Sequence, residues 1–170
     1  FGFYRAFHSN QYDVETLLNG LGSHFQGVHL GTKPYPCCRF MHGAIDGILN
    51  ISKSLQETGK FSLRDIKRIS VRVNRSGFVL CGRQLWSPPR TVVEAQFNIP
   101  YAAAVALAKG KVTLEEFTGS AIRDRRVLSL AEKGEVVVDE DLNKIQRQIA
   151  PTIVRVETSD GRIFENRVEY

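Results

Sequence analysis

The stretch Lys33-Pro34-Tyr35-Pro36-Cys37-Cys38-Arg39-Phe40-Met41-His42 constrains this chain more than any other, because it carries a proline-stiffened segment straight into an amphipathic helix. Each proline biases the residue before it away from the helical region, so Lys33 and Tyr35 are expected to be extended. Pro36 has no N–H to lose and a φ suited to a first helical turn, which places the helix start at about Pro36 or Cys37. Beyond it Met41, Ala44, Ile45, Ile48, Ile51 and Leu55 fall on one side at helical spacing, with Asp46, Asn50, Lys53 and Glu57 opposite. Gly59 is the expected stop. The free N–H groups of such a start lie beside Lys33, Arg39 and His42, which makes an anion site. Cys38 and His42 are one turn apart at the edge of the apolar side. The plainer fate of these residue types is burial: a cysteine pair in the core and a packed, hydrogen-bonded histidine.

The rest of the chain mixes helices and strands. Asp13 to Leu18 reads as a short helix closed by Gly20 and Gly22, and Gly27 to Thr32 as a strand leading into Lys33. Ile69, Val71 and Val73 alternate with Arg68, Ser70 and Arg72, a half-buried strand with one wet face. Ser76 to Arg90 contains Gly77, Gly82 and Pro88-Pro89 and is expected to be irregular, with Trp86 packing on an interface or capping the core. Asn98 is a good N-cap for an alanine-rich packing helix, Tyr101 to Lys109, stopped by Gly110. Thr113 and Glu116 form a capping box. A helix over Ala121 to Lys133 precedes a short strand, Val136 to Val138, and a solvated acidic loop, Asp139 to Asp141. Ile153 to Thr158 and Arg162 to Tyr170 flank Ser159-Asp160-Gly161, a strong hairpin signal because Asp and Gly both accept positive φ. These elements predict an α+β two-layer sandwich, its helices mainly on one face of a mixed or antiparallel sheet with a C-terminal β-hairpin.

Charge and cysteine usage narrow the function classes. Residues 1–111 hold 14 Lys/Arg against 6 Asp/Glu, net +8, and residues 112–170 hold 9 against 12, net −3. Lys67, Arg68, Arg72 and Arg75 on or beside one strand suit nucleic acid or an acidic partner, but no nucleic-acid motif accompanies them. A polycarboxylate calls for positive potential as well. Three cysteines without a secretory context point to free thiols in a reducing compartment. Cys38 and His42 lack the further ligands that zinc needs, so no metal is expected. No apolar run approaches the ~20 residues of a membrane span. The aromatic start, Phe1, Phe3, Tyr4 and Phe7, needs something to pack on, and a beginning at Phe1 suggests a piece of a longer protein.

The opening motif, with His42 and Ala44-Ile45-Asp46 after it, resembles the signature of the MmgE/PrpD family. That family includes 2-methylcitrate dehydratases, cis-aconitate decarboxylases and iminodisuccinate epimerases. Glu94-Ala95-Gln96-Phe97-Asn98-Ile99-Pro100-Tyr101, and Ile122-Arg123-Asp124 with Val127-Leu128, resemble further blocks of the same family in the same order. The resemblance implies the family's smaller C-terminal α+β domain over residues 11–170, with residues 1–10 packing on a large helical domain upstream. It implies a cytoplasmic, metal-independent and cofactor-independent lyase or isomerase of di- or tricarboxylic acids, homodimeric in full-length form. The chemistry removes a proton or CO₂ next to a carboxylate, with no nucleic-acid or membrane partner and with the main acid–base residues outside this chain. Within the chain it implies catalytic roles for Tyr101 and Cys38 and substrate binding by Lys33, joined by Arg39 and His42. The decarboxylase branch carries a histidine at the place of Cys38, a departure that weighs against decarboxylation. Tyr101 and Lys33 are expected to converge on one pocket. The rival reading is a non-catalytic domain that binds an acidic protein or RNA through its basic strand.

Overall fold

The computed structural model describes residues 2–57, 62–82, 88–145 and 149–169; Gly59 and Trp86 lie outside them. The chain divides into two compact units, Phe1–Thr32 and Lys33–Tyr170.

The first unit holds two short helices, α1 (Phe3–Phe7) and α2 (Val14–Leu18). Asp13 caps α2 by accepting from the N–H groups of Glu15 and Thr16. The expected strand over Gly27 to Thr32 is instead a 3₁₀ turn, Gln26–His29, followed by extended chain. Phe3 and Phe7 are exposed, as are Leu21, Phe25 and Leu30. The aromatic segment packs partly on itself: Phe3 lies against Phe7 and Tyr4, and Tyr4 stacks on Tyr12.

The second unit is the α+β sandwich. Its helices are α3 (His42–Glu57), α4 (Arg75–Gly77), α5 (Val92–Ala95), α6 (Ile99–Lys109), α7 (Arg125–Ala131) and α8 (Glu140–Asn143). Its strands are β1 (Ile66–Val73), β2 (Gly134–Val138), β3 (Thr152–Thr158) and β4 (Ile163–Val168), in the order β2-β1-β3-β4. β1 runs parallel to β2 and antiparallel to β3, and β3 and β4 form the expected hairpin around Gly161, whose φ is +85°. The alternation in β1 sends Ile69, Val71 and Val73 into the core and Arg68 and Arg72 outward. Val154 and Val156 on β3 complete the buried face.

α3 and α6 cover that face. Met41, Ala44, Ile45, Ile48 and Leu55 are all fully buried, the apolar stripe read from the spacing. Each fully buried isoleucine contributes roughly 2–3 kcal/mol relative to exposure. Gly47 lets α3 approach the sheet, since a Cβ there would meet Val154 Cγ2 at 2.7 Å. α6 is buried on every side from Ile99 to Leu107, capped by Asn98, which accepts from the Tyr101 N–H at 2.9 Å, and ended by Gly110 at φ +66°. Small side chains suit such a helix because α3 and α7 both press on it.

Two boundaries differ from the sequence reading for identifiable reasons. The helix expected over Ala121 to Lys133 breaks at Asp124, whose carboxylate caps α7 by accepting from the Arg126 N–H. Asp139 does not sit in a free loop but caps α8 in the same way, through Asp141 and Leu142. Both are local side-chain bonds that restart a helix.

Candidate functional site

The opening motif does not start its helix where the prolines suggested. Cys38 stays extended at φ −60°, ψ 135°, a 3₁₀ turn covers Arg39–Met41, and α3 begins at His42. The cause is sideways hydrogen bonding to Gln96. The Gln96 side-chain amide donates to the Pro36 carbonyl at 2.7 Å, and the Cys38 N–H donates to the Gln96 carbonyl at 2.9 Å. Together these bonds hold Cys38 in the extended region, outside the helical one. At the 3₁₀ turn the Met41 and His42 N–H groups bond the Cys38 and Arg39 carbonyls, so the helix start offers fewer free donors than expected.

A second set of contacts fixes the other side of the motif. The Tyr35 hydroxyl donates a short hydrogen bond to Asp46 Oδ1, one turn into α3. The Tyr35 ring meets the His42 ring edge-on, with centroids 5.3 Å apart at 87°. Burial, then the bond and charge of Asp46, hold the Tyr35 phenol well above its ordinary value, so it remains a donor.

His42 is 2% exposed, and the Cys37 carbonyl faces its ring as an acceptor. Its Nε2 is buried without a hydrogen-bond partner among the described residues. Burial pushes its pKa below the ordinary value, partly opposed by the Cys37 carbonyl, and the Lys33 ammonium acts in the same lowering direction. His42 is therefore neutral near pH 7. Lys33 is exposed, and its charge reaches Cys37 as well as His42. Burial, with Cys38 beside it, pushes the Cys37 thiol up to about 12 against the opposing pull of Lys33.

Cys38 is half-buried, and its thiol lies near that of Cys81, in a π-helical turn over Phe78–Gly82. Burial first, and this contact second, raise the Cys81 thiol. All three cysteines are free. Among the described residues no group of three or more His, Cys, Asp or Glu is placed to hold a metal ion.

The motif thus gathers Lys33, Cys38 and His42 in one neighbourhood. Arg39 is exposed and opens onto a crevice with Phe40, Asn74 and Pro151. Tyr101 has a different setting. It is 1% exposed, its hydroxyl donates to the Glu116 carbonyl at 2.5 Å, and its ring meets Phe117 edge-on. The cavity beside it, about 110 Å³, is walled by Val105, Lys109, Glu115, Asp124 and Val127 among others, and Lys33 is not one of its walls. Its phenol is pushed up to about 12, by burial first and then by Glu116 and Asp124.

The basic strand is no open positive stripe. Lys67 pairs with Glu157 at 2.7 Å, Arg72 with Asp139 at 3.3 Å, and Arg68 with Glu135. The outer face of the sheet forms a shallow depression of about 250 Å³ in which Arg155 and Glu165 are cross-strand neighbours. Charges paired in this way leave little net field for a polyanion.

Sequence reasoning missed Gln96, Tyr35, Asp46 and Cys81. Gln96 and Tyr35 stand inside the recognised blocks, yet no pattern shows that residues 36 and 96 touch.

Residues 35–170 match the sequence profile described as "MmgE/PrpD C-terminal domain". The chain belongs to the MmgE/PrpD family. It is 28% identical over 162 residues to the "cis-aconitate decarboxylase-like protein oryM" of Aspergillus oryzae, covering 93% of this chain and 33% of that protein. It is 26% identical over 164 residues to a "cis-aconitate decarboxylase" of Aspergillus terreus, with the same two coverages of 93% and 33%. The chain therefore spans about a third of the length of these curated relatives. No helix among the described residues is long and apolar enough to cross a membrane.

Proposed function

We propose that this chain is the substrate-binding domain of a cytoplasmic, cofactor-independent lyase or isomerase that acts on di- or tricarboxylic acids. The observation that carries this reading is the gathering of Lys33, Cys38 and His42 where two family blocks meet. The relatives named for cis-aconitate, itself a tricarboxylate, support the substrate class.

Lys33 binds a substrate carboxylate as a point charge. Loss of a proton or CO₂ next to that carboxylate leaves negative charge, which a positioned ammonium stabilises. Neutral His42 offers its Nε2 to a hydrogen bond rather than adding a second cation. Cys38 borders the same space, and the thiol there, where the decarboxylase branch carries histidine, favours dehydration or a related reaction over decarboxylation. Tyr101 reaches a substrate only by releasing the Glu116 carbonyl, so its role here is to hold the Thr113–Phe117 turn. The remaining acid–base groups come from the rest of the protein. That portion also covers the exposed aromatic residues of the first unit, and the complete protein is a homodimer. Sedimentation tests this: the isolated 170-residue chain self-associates, whereas a strictly monomeric chain contradicts the covering role.

The test of function uses the complete protein with cis-aconitate, citrate, 2-methylcitrate and aspartate-derived acids, first in thermal shift and then in turnover. Lys33→Met raises KM for the acid turned over by about ten- to a hundredfold, the loss of one charge-assisted hydrogen bond. Wild-type KM in that variant, or no response to any of these acids, refutes the reading.

A further inference from the structure

We infer that Gln96 is a positioning residue for the Lys33–Cys38 segment, a role that rests on the carboxylate-binding reading above. Gln96 grips both peptide groups that flank Cys37. Its side-chain amide donates to the Pro36 carbonyl at 2.7 Å, and its main-chain carbonyl accepts from the Cys38 N–H at 2.9 Å. One residue thus occupies the donor and acceptor positions that a neighbouring strand would offer, and it does so across 60 positions of sequence.

The grip has direct consequences for the groups around it. It holds Cys38 extended and delays the helix to the turn after it, so Cys38 leads the 3₁₀ turn from outside. Pro34 and Pro36 stiffen the chain between this anchor and Lys33, and restricted backbone transmits the fixed position to the amine. Gln96 itself is placed firmly. Its N–H bonds the Val92 carbonyl at 2.9 Å, and two residues later Asn98 caps the buried α6. A side chain on a rigid element that fixes backbone beside reactive groups supports a site without touching the substrate.

The chemistry of the bond supplies a specific test. The Pro36 carbonyl only accepts, so the partner must carry a proton there. In the complete protein, with whichever of cis-aconitate, citrate and 2-methylcitrate it turns over, Gln96→Met lowers kcat about ten- to a hundredfold, the cost of a small misplacement of reacting groups. KM rises as well, because the Lys33 amine that binds the carboxylate is displaced, whereas the thermal midpoint changes little, because the main-chain bond from Cys38 survives. Gln96→Glu is equally slow at neutral pH, where its carboxylate faces a carbonyl, and recovers towards wild type as the pH falls and the neutral acid regains a donor. A structural role alone leaves no such crossing of the two pH profiles. Wild-type kcat in both variants overturns the inference, as does a loss of kcat that follows the thermal midpoint with no recovery of Gln96→Glu at low pH. Should Gln96→Met fail to fold, the pH profile of Gln96→Glu decides alone. Failure of the underlying reading shows separately: wild-type kcat/KM in Lys33→Met refutes the carboxylate site whatever the Gln96 variants do.

Discussion

Tyr101→Phe separates a structural from a catalytic tyrosine with one oxygen atom. The ring of Tyr101 is 1% exposed and lies edge-on to Phe117, with centroids 5.9 Å apart, and phenylalanine keeps that packing. What goes is the O–H that donates to the Glu116 carbonyl at 2.5 Å. Glu116 is itself buried and closes the capping box with Thr113, so water does not readily replace the donor. Removing one partner of a buried pair costs about 1–2 kcal/mol. For a chain of this length that is a fall of roughly 2–8 °C in Tm. Urea denaturation of the chain, with its midpoint lowered at unchanged slope, measures the loss directly. The phenol adds a pH signature. Its folded value of about 12 lies above the ordinary 10.0, so the proton is bound more tightly in the folded state. Its contribution is complete below pH 10 and is lost as the pH rises towards 12, a slope that Tyr101→Phe removes. Unchanged or increased stability in the variant, together with a fall in kcat of the complete protein, refutes the structural assignment and returns the hydroxyl to the substrate.

Two further outcomes follow from the packing. His42 is held below its ordinary 6.5, mainly by burial, so the unfolded chain binds the proton more tightly and stability falls as the pH drops below 6.5; His42→Phe flattens that part of the urea-midpoint profile, and an unaltered slope contradicts the assignment. Gly47→Ala places a Cβ 2.7 Å from Val154 Cγ2, and the strain of moving α3 outweighs the better helix propensity of alanine, so it destabilises by about 1–3 kcal/mol in the same assay, whereas a more stable variant shows that the interface yields.

The periodic parts of the fold were legible because burial imposes period on sequence. The stripe from Met41 to Leu55, the alternation in β1, the Asn98 cap and the Asp-Gly hairpin all appear where the pattern placed them. What escaped was set by single hydrogen bonds. The helix start at Pro36 fails because the two bonds to Gln96 hold Cys38 extended, and the long helix over Ala121 to Lys133 fails because Asp124 caps in its middle. The apparent basic stripe disappears for a similar reason: Glu135, Asp139 and Glu157 are contributed by other segments and neutralise it. Lys33, Cys38 and His42 were legible as near neighbours because ten residues contain them all, and their role is the one proposed above. That Tyr101 is committed to Glu116 was not, because Tyr101 and Glu116 are 15 positions apart and nothing periodic links them.

The anion site proposed above rests on a different physical basis from the one the helix start suggested. The opening turn of α3 uses two of its leading N–H groups internally, so they no longer serve as donors to a ligand. Gln96, however, ties the start of that turn to the start of α6, which begins three positions later at Ile99. Gln96 thus ties together the segments that lead into the N-terminal ends of a 16-residue and an 11-residue helix. Each carries about half a positive charge at that end, worth roughly 0.3–1 kcal/mol to a neighbouring anion. Under the proposed function, two such ends and one ammonium favour a carboxylate without any single free N–H having to point at it. The neutral state of His42 follows first from its burial, and the Lys33 charge opposes a further positive charge there as well. The bonds that displaced the helix start thus also link the Lys33–His42 segment to the start of α6.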